Sequence, residues 1–298
     1  MYLITFISSC LLILSFLSIC VKVLPELHAS VLSYGKLNLH NDKKPTTMWA
    51  TQLSKLIVPK HYFSHFYVIG LAFALLSAIE LTYLQLCHQP LMLIRVLKYD
   101  NMEGTQRLDK HACIVGFIMM TLHLTRRVYE SFWIEKPSKT ATMHFSHYLI
   151  GLGFYGAMVF GTWLEGLSSL GKPQVETHLF STMVAIILFV YASIHQHKCH
   201  VILASLRKDT DSGYTIPRGD WFEWLVTPHY FADILVYLSL CILYRFQGHI
   251  LFCGLVWTIT NLSVVASETK LWYQVHFPTE KYNLAFPNGR WNIIPGCY

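Results

Sequence analysis

Charge is what this sequence has least of. Only 13% of its 298 residues are Asp, Glu, Lys or Arg, about half the roughly 25% of an ordinary soluble chain, while 53% are hydrophobic. A chain so poor in charge cannot cover a water-facing globule. The same shortage, set beside 8 Trp, 17 Tyr and 18 Phe, excludes an intrinsically disordered protein. No Cys-x-x-Cys pair occurs among the 8 cysteines, and Cys10, Cys20, Cys113, Cys241 and Cys253 lie inside apolar runs, so there is no disulfide framework. Neither a Gly-x-Gly-x-x-Gly after a strand pattern nor a Gly-x-x-x-x-Gly-Lys-Ser/Thr is present. That argues against a Rossmann or P-loop domain, so any nucleotide cofactor would sit among helices. Internal repeats and low-complexity segments are lacking too. An all-α polytopic membrane protein is what remains.

Seven apolar runs are candidates for crossing a bilayer, at about 2–24, 65–86, 112–134, 145–164, 178–196, 231–247 and 249–266. The first lacks a basic leader and a clear cleavage site, so it is read as a retained span rather than a signal peptide. The last two are so close that they should form a tight hairpin, and the tail beyond Ser267 is expected at the membrane interface. Residues 1–298 are read as one integral membrane domain. The first, third and fifth loops and the tail hold most of the Lys and Arg, among them Lys55, Lys60, Arg126, Arg127, Arg207, Arg218 and Arg290. By the positive-inside rule that side is cytosolic and the N-terminus lies across the membrane. The basic residues are spread over loops, so the net charge of +6 marks contact with anionic lipid and no nucleic-acid partner. No obligate protein partner is evident.

Polar residues concentrate in a few places. The fifth loop reads His195-Gln-His-Lys-Cys-His200, then Leu206-Arg207, then Ile216-Pro-Arg-Gly-Asp-Trp-Phe-Glu223 and Thr227-Pro-His-Tyr-Phe-Ala-Asp233. Arg207 and Arg218 are planar donors suited to phosphate, and Trp221, Trp224 and Tyr230 can stack on flat rings. This content fits a nucleotide site, or equally a basic interfacial rim with its usual aromatics. His61/His65, His144/His147 and the His195–His200 group have the spacing of a metal site on a helix face. The adjacent His-His pair typical of membrane di-iron hydroxylases and desaturases is missing, and no metal is assigned. His123, Arg126, Arg127 and Glu130 share one helix face, either as a functional pathway or as a polar stripe binding helices together.

Four stretches, in this order, resemble the membrane steroid 5α-reductase family, most closely its polyprenol/polyprenal reductase branch. They are Val58-Pro-Lys-His-Tyr-Phe-Ser-His-Phe-Tyr67, Leu122-His-Leu-Thr-Arg-Arg-Val-Tyr-Glu130, His195-Gln-His-Lys-Cys-His200 with Leu206-Arg207, and Ile216-Pro-Arg-Gly-Asp-Trp-Phe-Glu223. The resemblance implies an endoplasmic reticulum enzyme with about seven transmembrane helices, its reductase-like half at about 145–298. It implies NADPH as cofactor, held at cytosolic loops and helix ends, and a long-chain polyisoprenoid lipid as substrate. Saturating the α-isoprene double bond of that lipid would supply dolichol for protein N-glycosylation; a 3-oxo-Δ4-steroid is the alternative substrate. By position, the resemblance places Arg126, Gln196, His200, Arg207, His229 and Asp233 in the cofactor shell, with Arg218, Asp220, Trp221, Glu223 and Tyr230 in and beside its supporting turn. His123 and His65 fall at or next to the substrate-facing polar positions and are the expected catalytic pair. His229 and Asp233 stand where the family usually has Asn and Glu, and Ser267-Glu-Thr-Lys270 lacks its usual histidine.

Overall fold

The computed structural model describes residues 2–32, 45–101, 108–136, 141–170, 178–207, 214–286 and 289–298. Among these, seven helices of 16 residues or more make up the body: α1 (Tyr2–Val23), α2 (Phe63–Cys87), α3 (Lys110–Tyr129), α4 (Phe145–Gly161), α5 (Leu179–Ser205), α6 (Pro228–Leu243) and α7 (His249–His276). Helices α1, α2, α5 and α7 are each long and apolar enough to span a bilayer, and α6 is a shorter apolar helix. Their exposed side chains are those that suit lipid: Phe6, Ile13 and Phe16 on α1, Leu75 and Ile79 on α2, Phe180, Ile187 and Val190 on α5.

The polar residues that remain start and stop the helices. Asp109 caps α3 by accepting from Ala112 N at 2.7 Å, and Pro228 opens α6, where its missing N–H costs nothing. Glu165 reaches the first turn of α7 from a distant segment, accepting from His249 N at 2.9 Å and Ile250 N at 2.8 Å. Two glycines allow close helix approach: a Cβ at Gly254 of α7 would run into Met158 Sδ, and one at Gly116 of α3 into the Tyr244 hydroxyl. Packing pairs α5 with α6, α1 with α7 and α2 with α4, while α6 also packs on α7 as the expected hairpin.

Two expected boundaries move. Helix α5 continues past residue 196 to Ser205, so His195, His197 and His200 are helical rather than in a loop. Helix α7 continues past 266 to His276, and Glu268, Thr269, Trp272 and Tyr273 on it are buried rather than interfacial. In both, the polar last turns pack on protein instead of lipid, which hydropathy alone does not register.

Chain alternation brings the C-terminal ends of α1, α3, α5 and α7 and the N-terminal ends of α2, α4 and α6 to one end of the bundle. A short antiparallel pair, β1 (Ile57–Pro59) with β2 (Thr142–His144), ties the first connection to the third there, with Val58 opposite Met143. Val226 N donates to Trp291 O at 2.9 Å and joins the fifth connection to the tail. The orphan backbone groups of the connections are thus paired with one another.

Candidate active site

A buried polar network fills that end. Helix α3 finishes in a π turn, Glu130–Ile134, a wider coil often found at functional sites. Glu130 is fully buried and accepts from Arg126 Nη1 at 2.7 Å, from Arg127 Nη1 and from His197 Nδ1 at 2.9 Å, and lies 2.7 Å from His200 Nδ1. His200 Nδ1 is also 2.7 Å from Arg127 Nη1, so it either donates to the carboxylate or accepts from the guanidinium. Arg127 donates further to the Tyr67 hydroxyl at 2.7 Å and to Glu135 Oε1 at 2.9 Å. Helices α2, α3 and α5 are therefore clamped around two guanidiniums and two carboxylates, whose charges balance.

A second chain of bonds leaves Arg126 toward α6. Arg126 Nη2 donates to Gln196 Oε1, and Gln196 Nε2 donates to Asp233 Oδ1 and, at 3.3 Å, to the His229 carbonyl. The amide orientation is forced, because a guanidinium only donates and a carboxylate only accepts. Arg126 Nη2 also lies 3.3 Å from His123 Nδ1, which must therefore be an acceptor. In neutral His123 the proton then sits on Nε2, which is buried and meets no partner. The His123 ring packs edge-on to Tyr237, centroids 6.0 Å apart, beside Tyr155 and Tyr67, whose centroids are 5.0 Å apart.

Around this core lies a second layer from the fifth connection. His195 Nδ1 donates to Asp220 Oδ1 at 2.8 Å, and its ring stacks on Trp221 at 4.3 Å and 9°. Asp220 holds a left-handed φ of 47°, right after Gly219 at φ 91°. Asp220 is not a glycine, so the turn stores strain of about 1 kcal/mol or more that the bond to His195 helps to hold. Glu223 accepts from Gly219 N at 2.6 Å and pairs with Arg218 at 2.8 Å. Those partners, the Gly219 amide first, keep its carboxyl below the usual carboxylate range.

Of the residues singled out in the sequence, His123, Arg126, Gln196, His200, His229 and Asp233 come together in the network, and Arg218, Asp220, Trp221 and Glu223 form the adjoining turn. Tyr230 lies against His229 at 4.2 Å between ring centroids. Arg207 ends up exposed, donating to the Lys136 carbonyl at the rim. His65 is not drawn into the network by any bond among the described residues; its Nδ1 lies 3.1 Å from the Tyr148 hydroxyl and its ring stacks on Tyr62. Glu130, Glu135 and His200 could in principle offer three metal ligands within 4.8 Å of one another, but both carboxylates already answer to arginines.

Sequence reasoning placed Arg127 on the polar face of α3 but assigned no site role to Tyr67, Tyr155 or Tyr237, whose importance depends on which helices touch. It also passed over Arg290. That buried guanidinium lies 3.8 Å above the Phe286 ring, with Tyr273 and Tyr282 on other sides, and donates to the Phe222 carbonyl at 3.3 Å. Its surroundings include a cavity of about 530 Å³ lined by Lys270, Gln274, Tyr282, Arg290 and Trp291, with two cations and no carboxylate in its lining. The available signal was an arginine amid aromatics in the tail.

Residues 142–298 match the family described as 3-oxo-5-alpha-steroid 4-dehydrogenase. The chain is 31% identical over 261 residues to a polyprenal reductase of Saccharomyces cerevisiae, covering 88% of this chain and 84% of that protein. It is 27% identical over 285 residues to a polyprenal reductase of Ailuropoda melanoleuca (90% and 85% covered) and 26% over 281 residues to one of Homo sapiens (89% and 84%).

Proposed function

Because the chain belongs to the 3-oxo-5-alpha-steroid 4-dehydrogenase family, we propose that it reduces the α-isoprene double bond of a polyprenal with NADPH, supplying dolichol for protein N-glycosylation. The names of its relatives and the buried donor at His123 support this reading. An isolated allylic alcohol has no electrophilic carbon. In the aldehyde the double bond is conjugated, and its β-carbon becomes electrophilic once the carbonyl oxygen is polarised. A donor in a dry site does that best, and the Nε2–H of His123 is such a donor. His65, nearer the α2 end, is the second candidate.

The residues at this end suit a phosphate-bearing dinucleotide. Lys270 and Arg290 line a cavity with no carboxylate among its described lining residues, and Arg218 and Arg207 are exposed at the rim for bidentate contacts. The exposed Trp224 offers a ring face, whereas Trp221 is buried against His195. Arg126, Gln196, His200, His229 and Asp233 shape the inner wall, and the Glu223 turn holds Asp220 and Trp221 in place. Bound there, NADPH supplies a hydride. The protein's part is to orient the aldehyde, exclude water and hold the carbonyl oxygen, and orientation alone can contribute several kcal/mol. A polyisoprenoid is too long for an internal pocket, so its tail would remain in lipid and chain-length selectivity would be weak.

This reading places the protein in the endoplasmic reticulum membrane with its polar end in the cytosol, as the Lys and Arg there favour. The test is to incubate membranes containing the protein with NADPH or NADH and, separately, polyprenal, polyprenol or a 3-oxo-Δ4-steroid, and to weigh the products. A saturated α-unit from polyprenal, with NADPH preferred, is expected. Conversion of the steroid alone, or of no compound, would overturn the assignment.

A further inference from the structure

Tyr237 lies on α6 one helical turn after Asp233, so both side chains point from the same face into the bundle. The residue is 2% exposed, and its hydroxyl meets no partner of hydrogen-bond geometry. The Tyr155 side chain also acts on Tyr237, but not at hydrogen-bond geometry, so the Tyr237 hydroxyl proton has no acceptor among the described residues. A buried hydroxyl left unpaired costs about 1–3 kcal/mol, so such a group calls for an explanation. A second unpaired polar atom lies close by. His123 Nε2 is equally buried, and its ring faces that of Tyr237 across 6.0 Å at 64°.

The bonds behind the His123 ring are assigned in direction. Asp233 accepts from Gln196, Gln196 accepts from Arg126, and Arg126 donates to His123 Nδ1. That sequence leaves His123 Nε2 as a donor with nothing to donate to. Tyr237 Oη can also donate. The Phe154 ring packs edge-on against that of Tyr237, centroids 5.5 Å apart. Two buried donors on neighbouring rings, neither of them answered by an acceptor among the described residues, match a neutral ligand whose oxygen accepts two hydrogen bonds.

We infer that Tyr237 is a second substrate-binding catalytic residue, whose hydroxyl joins His123 Nε2–H in holding the carbonyl oxygen of the aldehyde. The inference rests on the proposed aldehyde reduction and specifies its oxygen site. As negative charge builds on that oxygen, both donors strengthen, and neither must transfer its proton during hydride addition to the β-carbon; the enolate then takes its α-carbon proton from water to give the saturated aldehyde.

The test is Tyr237→Phe, which removes one oxygen and keeps the ring that packs on His123 and Phe154. The expected result with polyprenal is a 10- to 100-fold lower kcat, an unchanged KM for NADPH and an unchanged elution profile in detergent. Competition by a hydrocarbon of the same chain length, which has no oxygen, should be equal for wild type and variant. Competition by the saturated aldehyde should weaken in the variant. If wild type reduces polyprenal and Tyr237→Phe does so at the same kcat, the inference is wrong while the function stands. An unaltered preference for the aldehyde over the hydrocarbon would overturn it too. If wild type does not reduce polyprenal, the function itself fails.

Discussion

Replacing His123 with phenylalanine should lower kcat for aldehyde reduction by about 100- to 1,000-fold, the usual loss for one donor at a developing oxyanion. Phenylalanine keeps the ring beside Tyr237 and the volume of a fully buried position, so packing is preserved. What disappears is the Nε2–H that Arg126 holds in the donor state through its 3.3 Å approach to Nδ1, and with it that Nδ1 acceptor, while Arg126 keeps Glu130 and Gln196 as partners. The KM for NADPH should change little, because that N–H serves the lipid and not the dinucleotide. Steady-state kinetics on the purified variant check this, and wild-type turnover would remove His123 from the mechanism.

Replacing Glu130 with leucine should have the largest effect on stability. Its carboxylate is buried and answers Arg126, Arg127, His197 and His200 together. Removing it strands Arg127, itself only 4% exposed, with Glu135 as its remaining carboxylate. Breaking one side of such a buried ion network costs about 3–5 kcal/mol, enough to lower the midpoint of thermal inactivation in detergent by on the order of 10 °C. Glu223→Ala is the contrast. That carboxylate pairs with Arg218 where both side chains are well exposed, so its loss should change stability by less than about 1 kcal/mol. Equal midpoints for the two variants would mean that the network does not hold the bundle together.

How far the sequence carries depends on the range of the interaction. The apolar runs are local, and all of them became helices at the expected places. Helices α5 and α7 outran their apolar stretches because His197, His200, Glu268 and Trp272 turn toward protein, and hydropathy measures only the part that meets lipid. The stripe His123, Arg126, Arg127 and Glu130 was legible for the same reason: three- and four-residue spacing fixes a helix face. Its partners were not. Tyr67 and Gln196 are 60 and 70 residues from the arginines they bond, and only the packing of α2 and α5 against α3 brings them there. Glu165, 84 residues before the α7 amide it caps, is a similar case. The Arg290 cage depends on the tail folding back under the turn at Phe222, which no periodicity announces.

One isotope measurement follows the hydride itself. Purified protein would be given polyprenal and NADPH carrying deuterium at the transferring C4 position, and the product analysed by mass and NMR. The expected product is the saturated aldehyde with one deuterium at its β-carbon, in an amount that saturates with NADPH and falls sharply in the His123→Phe variant. A saturated product without that label, or a double bond left intact by protein that binds the dinucleotide, would contradict the proposed reaction.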